Sequence, residues 1–225
     1  MKKLFSTLFV VAVASATSAF MVPAAAQDAK GNAAAGEKKI AMCIGCHGIA
    51  GYQASFPEIY KVPKISGQNE KYLVAALNAY KKGDRRHPTM RGIAETLTDQ
   101  DIADISAYYA THGVDPQAKL ADKPSKEAPA AVAALIQKGA CVSCHGANFA
   151  KPVDPSYPKI AGQHNDYLFV ALKAYKTEGN ANVGRANGVM GGIAKQFSHA
   201  ELKSIANYLG SIEGDLKTVP QGKFR

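Results

Sequence analysis

The chain has 225 residues, is 47% hydrophobic and 20% charged, and contains no tryptophan. Those proportions suit a globular protein and exclude a disordered or fibrous one. Its 27 basic and 18 acidic residues give a formal charge of +9, which suits an acidic partner or an anionic membrane surface without calling for nucleic acid.

The first 26 residues predict a secretory signal. Lys2 and Lys3 precede an apolar run, and the small-residue string Ala24-Ala25-Ala26 offers a cleavage site before Gln27. Ser15, Thr17 and Ser18 interrupt the apolar part, which argues against a retained anchor. Cleavage leaves residues 27–225 as an exported chain and, with Lys2 and Lys3 gone, lowers the formal charge to +7. No later segment approaches the roughly 20 apolar residues that a spanning helix needs.

The remainder is a duplication. PKISGQNEKYLVAALNAYKKG at 63–83 matches PKIAGQHNDYLFVALKAYKTEG at 158–179, and MRGIAETLTDQDIADISAYYA at 90–110 matches MGGIAKQFSHAELKSIANYLG at 190–210. A repeat of nearly 100 residues is too long for a solenoid unit and predicts one small domain, doubled. The expected division is 27–112 and 129–225, joined by a Pro-, Lys- and Asp-rich linker over 113–128.

Each half predicts about three helices, long loops and almost no strand. The first helix, near 32–43 and 129–141, runs into a cysteine pair. The second, near 69–82 and 165–177, carries Tyr72, Leu73, Ala76, Leu77 and Tyr80 on one face, with Gly83 and Gly179 as stops. The third opens on capping-box pairs, Thr98 with Asp101 and Ser198 with Glu201. Such a unit has a thin core by itself, so something else is expected to fill its centre.

All four cysteines lie in two strings, MCIGCHG at 42–48 and ACVSCHG at 140–146. Zinc needs about four ligands, and the other histidines do not recur in matching places. A thioredoxin-like pair belongs beside a βαβ pattern, which is missing here. Two C-x-x-C-H strings in register fit covalent attachment of haem c, two groups per chain. Residues three apart share one side of a helix. Cys43 and Cys46, and likewise Cys141 and Cys144, can then each form a thioether, with His47 and His145 turned to the iron.

Beyond the signal only Met42, Met90 and Met190 remain as candidate sulfur ligands. Met42 adjoins the cysteines and cannot readily reach the opposite haem face. Met90 and Met190 follow His47 and His145 by 43 and 45 residues, in matching contexts, and this predicts His/Met ligation in both halves. Such ligation fills both axial positions and raises the reduction potential. It suits electron transfer and disfavours oxygen chemistry. His87, His112, His164 and His199 have no partners in the other half and are expected at the surface. Pro63 and Pro158 are candidates to supply the carbonyl that orients each ligating histidine.

C-x-x-C-H-G, then P-K-I-[AS]-G-Q, then a methionine before a capped C-terminal helix, all occurring twice, resembles the dihaem cytochromes c4. The resemblance covers about 30–212. It implies an all-α fold of two tandem class I cytochrome c domains, each about three helices with long loops wrapped around a covalently bound haem. The two would be related by approximate two-fold symmetry, with the haems facing each other. It also implies a periplasmic carrier without catalysis of its own, loosely associated with the membrane, passing electrons between redox proteins of a respiratory chain and toward a terminal oxidase. A dihaem peroxidase or a dehydrogenase subunit is the alternative; a peroxidase needs an open iron, against which both halves keep a methionine. The basic stretch 81–91, with five cations and one acid, is expected to form a rim that docks a redox partner.

Overall fold

The computed structural model describes residues 29–220; the predicted signal peptide lies outside them. Among these residues are ten helices and four two-residue strands. The first half holds α1 (Ala33–Glu37), α2 (Ala41–His47), α3 (Glu70–Lys82), α4 (Pro88–Ala94) and α5 (Asp99–Thr111). The second holds α6 (Ala130–Lys138), α7 (Val142–His145), α8 (Asn165–Ala174), α9 (Gly188–Lys195) and α10 (His199–Ser211). Strands β1 (Gln53–Ala54), β2 (Tyr60–Lys61) and β3 (Arg85–Arg86) belong to the first half, and β4 (Gly184–Arg185) to the second. No helix among the described residues is long and apolar enough to cross a membrane.

The helix-rich architecture agrees with expectation, and both capping boxes form. Thr98 and Asp101 exchange side-chain and backbone bonds at the start of α5, and Ser198 and Glu201 do so at α10. Each box satisfies two backbone N–H groups that would otherwise lack partners. Gly83 caps α3 at φ +83°, a left-handed conformation that glycine adopts without steric cost. The expectation of three helices per half is too low for two reasons. The helix leading to each cysteine pair is broken, at Lys38–Ile40 and at Gly139–Cys141. The methionine segments also form short helices of their own, α4 and α9.

The two cores differ in size. Ile40, Leu73, Ile105, Tyr108 and Tyr109 form the buried cluster of the first half. The second half gathers a larger set around Phe149, Phe197, Leu202, Ile205 and Leu209. The first half compensates through a close helix contact. Gly36 of α1 lies against the Asp104 carbonyl of α5, where a Cβ would overlap the oxygen. The Asp104 carboxylate accepts from the Asn32 backbone at 2.9 Å, the Gln100 amide at 2.8 Å and the Lys39 ammonium at 2.7 Å. Lys39 and the neighbouring hydrogen-bond donors hold the Asp104 carboxyl below its usual range.

The segment over 113–129 contains no helix or strand and is tied to the second half. Ala121 and Lys126 carbonyls accept from Asn148 and Tyr208, and Ser125 Oγ accepts from the Glu213 backbone. Past α10 the chain returns to the first half. The Lys217 backbone N–H donates to the Ser66 carbonyl at 3.0 Å, while Asp215 pairs with Lys159 of its own half at 3.0 Å.

Gly36→Ala is expected to lift α1 from α5 and destabilise the haem-loaded protein by about 1–3 kcal/mol. A fall in melting temperature checks this, and an unchanged one would contradict the contact.

Candidate functional site

One continuous cavity of about 760 Å³, walled mainly by apolar side chains, runs through both halves. It is lined by Cys43, Cys46, His47 and Met90 from the first half and by Cys141, Cys144, His145 and Met190 from the second. All eight residues singled out by the sequence therefore share one space. None of the four cysteines is in a disulfide. No cluster of three or more His, Cys, Asp or Glu among the described residues is placed to hold a metal ion.

Each histidine is held in the same way. His47 Nδ1 donates to the Pro63 carbonyl at 2.8 Å, and His145 Nδ1 to the Pro158 carbonyl at 3.0 Å. Donation fixes the proton on Nδ1 and leaves Nε2 with a free lone pair, as a metal ligand requires. Burial pushes both imidazoles below their ordinary pKa, and the carbonyl bonds oppose this only in part. Both rings are thus neutral at pH 7.

The methionines are also positioned alike. His87 is the N-cap of α4, its Nδ1 accepting from the Met90 backbone N–H at 3.4 Å; Asn187 is the N-cap of α9, its Oδ1 accepting from Met190 at 2.9 Å. N-cap acceptors anchor the first turn and with it the methionine. His87 therefore does have a counterpart, and the sequence concealed it because the two residue types differ. It is half-buried rather than exposed, bonded through Nε2 to the Tyr60 hydroxyl at 2.9 Å. His112 and His164 are likewise partly buried, and of the four expected at the surface only His199 is exposed.

The basic stretch departs most from expectation. Arg85 and Arg86 form β3, which pairs antiparallel with β4 so that Arg85 lies opposite Arg185 across the seam between halves. The Arg85 and Arg86 Nε atoms are inaccessible and lack hydrogen-bond partners. They do not form an open rim, because strand pairing turns them inward; Lys82 and Arg91 remain exposed. Four tyrosines at matching repeat positions surround the arginine pair. Arg85 donates to the Tyr72 and Tyr167 hydroxyls at 3.3 and 3.4 Å, and Arg185 to Tyr167 at 3.0 Å. Arg85 also stacks on Tyr80, and Arg185 on Tyr175, at 4.5 and 5.3 Å. Burial pushes the Tyr167 phenol up, but Arg185 and Arg85 outweigh it and hold the group below its ordinary value.

Among the described residues no carboxylate pairs with either guanidinium. Two enclosed like charges without an acid are costly. They suit a group that brings its own anions, as the propionates of haem do. With the apolar walls, the paired cysteines and the neutral imidazoles, this donor set fits haem in both halves.

The cytochrome c family model matches residues 30–112 and 129–213. Cytochrome c4 of Pseudomonas aeruginosa is 32% identical over 188 residues, covering 80% of this chain and 89% of that protein. The thiosulfate dehydrogenase electron acceptor of Stutzerimonas stutzeri strain A1501 is 30% identical over 178 residues, covering 76% and 78%. The crystal structure of reduced recombinant cytochrome c4 from Pseudomonas stutzeri superposes with a TM-score of 0.57 at 27% identity, over 81% of this chain and all of that one. The chain belongs to the cytochrome c family and, within it, to the dihaem cytochromes c4, built of two tandem cytochrome c domains. Its two C-x-x-C-H strings in that setting indicate two covalently bound haem c groups, and its role is electron transfer.

Removing a buried positive charge beside a haem favours the ferric state. Arg185→Leu is expected to lower at least one reduction potential by on the order of tens of millivolts, measured by spectroelectrochemical titration. Unchanged potentials would place the arginines away from the haems.

Proposed function

We propose that this protein is a periplasmic one-electron carrier in which Cys43 and Cys46, and Cys141 and Cys144, attach the haems. His47 with Met90, and His145 with Met190, would hold the two irons, and the two domains comprise 27–112 and 129–225. When bound, each haem supplies a ferric/ferrous couple. The protein's part is to hold the ligand set still. Nδ1–H donation to a proline carbonyl fixes each imidazole, and an N-capped helix fixes each methionine. The observation that carries the reading is that both halves repeat this pair on the wall of one cavity. With a histidine and a methionine both held to it, each iron would be closed to outside molecules, and the chain would turn over no substrate of its own.

The electrons are taken up from a redox protein and pass along a respiratory chain toward a terminal oxidase. The basic charge of the chain supports transient contact with acidic partners and with an anionic membrane surface. A second reading of the donor is favoured by the relative named as an electron acceptor of thiosulfate dehydrogenase, in which a dehydrogenase reduces this carrier directly.

Met190→Ala is expected to remove about half of the ferric methionine–iron charge-transfer absorbance and to open one iron to added cyanide or imidazole. An undiminished band would sink the assignment of Met190.

A further inference from the structure

The two halves are joined by a reciprocal clamp that reaches each haem-binding histidine from the opposite domain. Gln163 of the second half accepts the Lys64 backbone N–H on Oε1 at 3.0 Å and donates from Nε2 to the Lys64 carbonyl at 2.8 Å. Gln68 of the first half does the same to Lys159, both bonds at 2.9 Å. Each Oε1 also accepts the N–H of the residue that follows it, His164 at 3.0 Å and Asn69 at 2.9 Å. Main-chain groups fix which end of each amide is oxygen, since an N–H can only donate and a carbonyl only accept. Both glutamines are 4% exposed, so water does not compete for these bonds.

The clamped lysine N–H belongs to the same peptide group as the proline carbonyl that holds the histidine. His47 Nδ1 donates to one end of the Pro63–Lys64 peptide, and Gln163 accepts from the other end. His145 and Gln68 share the Pro158–Lys159 peptide in the same way. Hydrogen bonds at the two ends of one amide polarise it and strengthen each other. A stronger Nδ1–H bond makes the imidazole a more basic iron ligand, which stabilises the ferric state.

We infer that Gln163 and Gln68 are positioning residues that set the reduction potential of the haem in the opposite domain, each lowering it through the Pro-Lys peptide and the histidine Nδ1–H. The clamp thereby makes each haem's potential depend on the seam between the domains. Closing or loosening the seam shifts both couples together, whereas changing one glutamine shifts only the far one. This inference rests on the histidine ligation proposed above.

The test uses the haem-loaded full chain with Gln163→Met, Gln68→Met and Gln163→Glu. Two potentials are resolved by spectroelectrochemistry and assigned to domains by NMR, and the Nδ1–H proton shifts of His47 and His145 are recorded in the ferrous protein. Gln163→Met is expected to raise the potential of the first domain's haem and move the His47 Nδ1–H signal upfield, leaving His145 in place. Gln68→Met is expected to do the reverse. Gln163→Glu, with a stronger acceptor for the Lys64 N–H, is expected to move the His47 signal downfield and lower that potential. Equal movement of both haems in each methionine variant, movement of the same-domain haem, or unmoved proton signals would overturn the inference. Absence of methionine–iron charge-transfer absorbance in the unsubstituted protein would instead refute the ligand reading.

Discussion

The Pro63–Lys64 and Pro158–Lys159 peptide groups carry the organisation of the whole molecule. On one side each accepts the Nδ1–H of the histidine that faces the cavity. On the other, each is gripped by a glutamine of the opposite domain. A histidine without that carbonyl would be free to turn or to change tautomer. A seam without those glutamines would leave the N–H and carbonyl groups of Lys64 and Lys159 without the partners they have across it. One short loop, repeated, thus fixes both the local geometry of each site and the relation between the sites. Around it the apolar core of each half is completed by what the cavity holds, a dependence most marked in the first half, whose buried cluster is the smaller.

Duplication gives the molecule its pseudo-symmetry, and a few substitutions break it. Ser106 and Tyr109 line the cavity in the first half with enclosed hydroxyls, that of Ser106 without a hydrogen-bond partner and that of Tyr109 beside the Cys43 thiol. Ala206 and Leu209 stand at the matching places in the second. The loop at 51–62, longer in the first half, forms the β1–β2 hairpin and reaches over to α8. There the Asp166 carboxylate accepts from the Lys61 backbone at 3.0 Å, and Glu58 pairs with Lys173. The extra length therefore strengthens the seam. The tail after α10 adds a further one-sided tie through the Lys217 backbone N–H and the Ser66 carbonyl. The two haem environments are inequivalent for these structural reasons, although the ligand pairs proposed for them are the same.

Much of this was legible in the sequence. Signals confined to a few adjacent residues were read directly: the C-x-x-C-H strings, the capping boxes, and glycine at the end of α3. The duplication exposed Met90 and Met190 because chance recurrence is improbable in a chain so poor in methionine. Features set by contacts distant in sequence were not visible. Charge composition alone placed Arg85 and Arg86 on an open rim, whereas pairing of β3 with β4 turns them into the seam. Comparing residue types denied His87 a counterpart, yet the N-cap role accepts histidine and asparagine alike, because each offers one acceptor to a backbone N–H. The glutamines passed as part of a repeated string, since nothing in one half of a duplication announces that its partner is the other half.

Near-infrared magnetic circular dichroism of the ferric protein, with haem counted per chain by pyridine haemochrome assay, bears most directly on the ligand geometry. Two low-spin haems per chain, both with histidine–methionine coordination, are the expected result. A high-spin iron, or a bis-histidine signature in either domain, would contradict it.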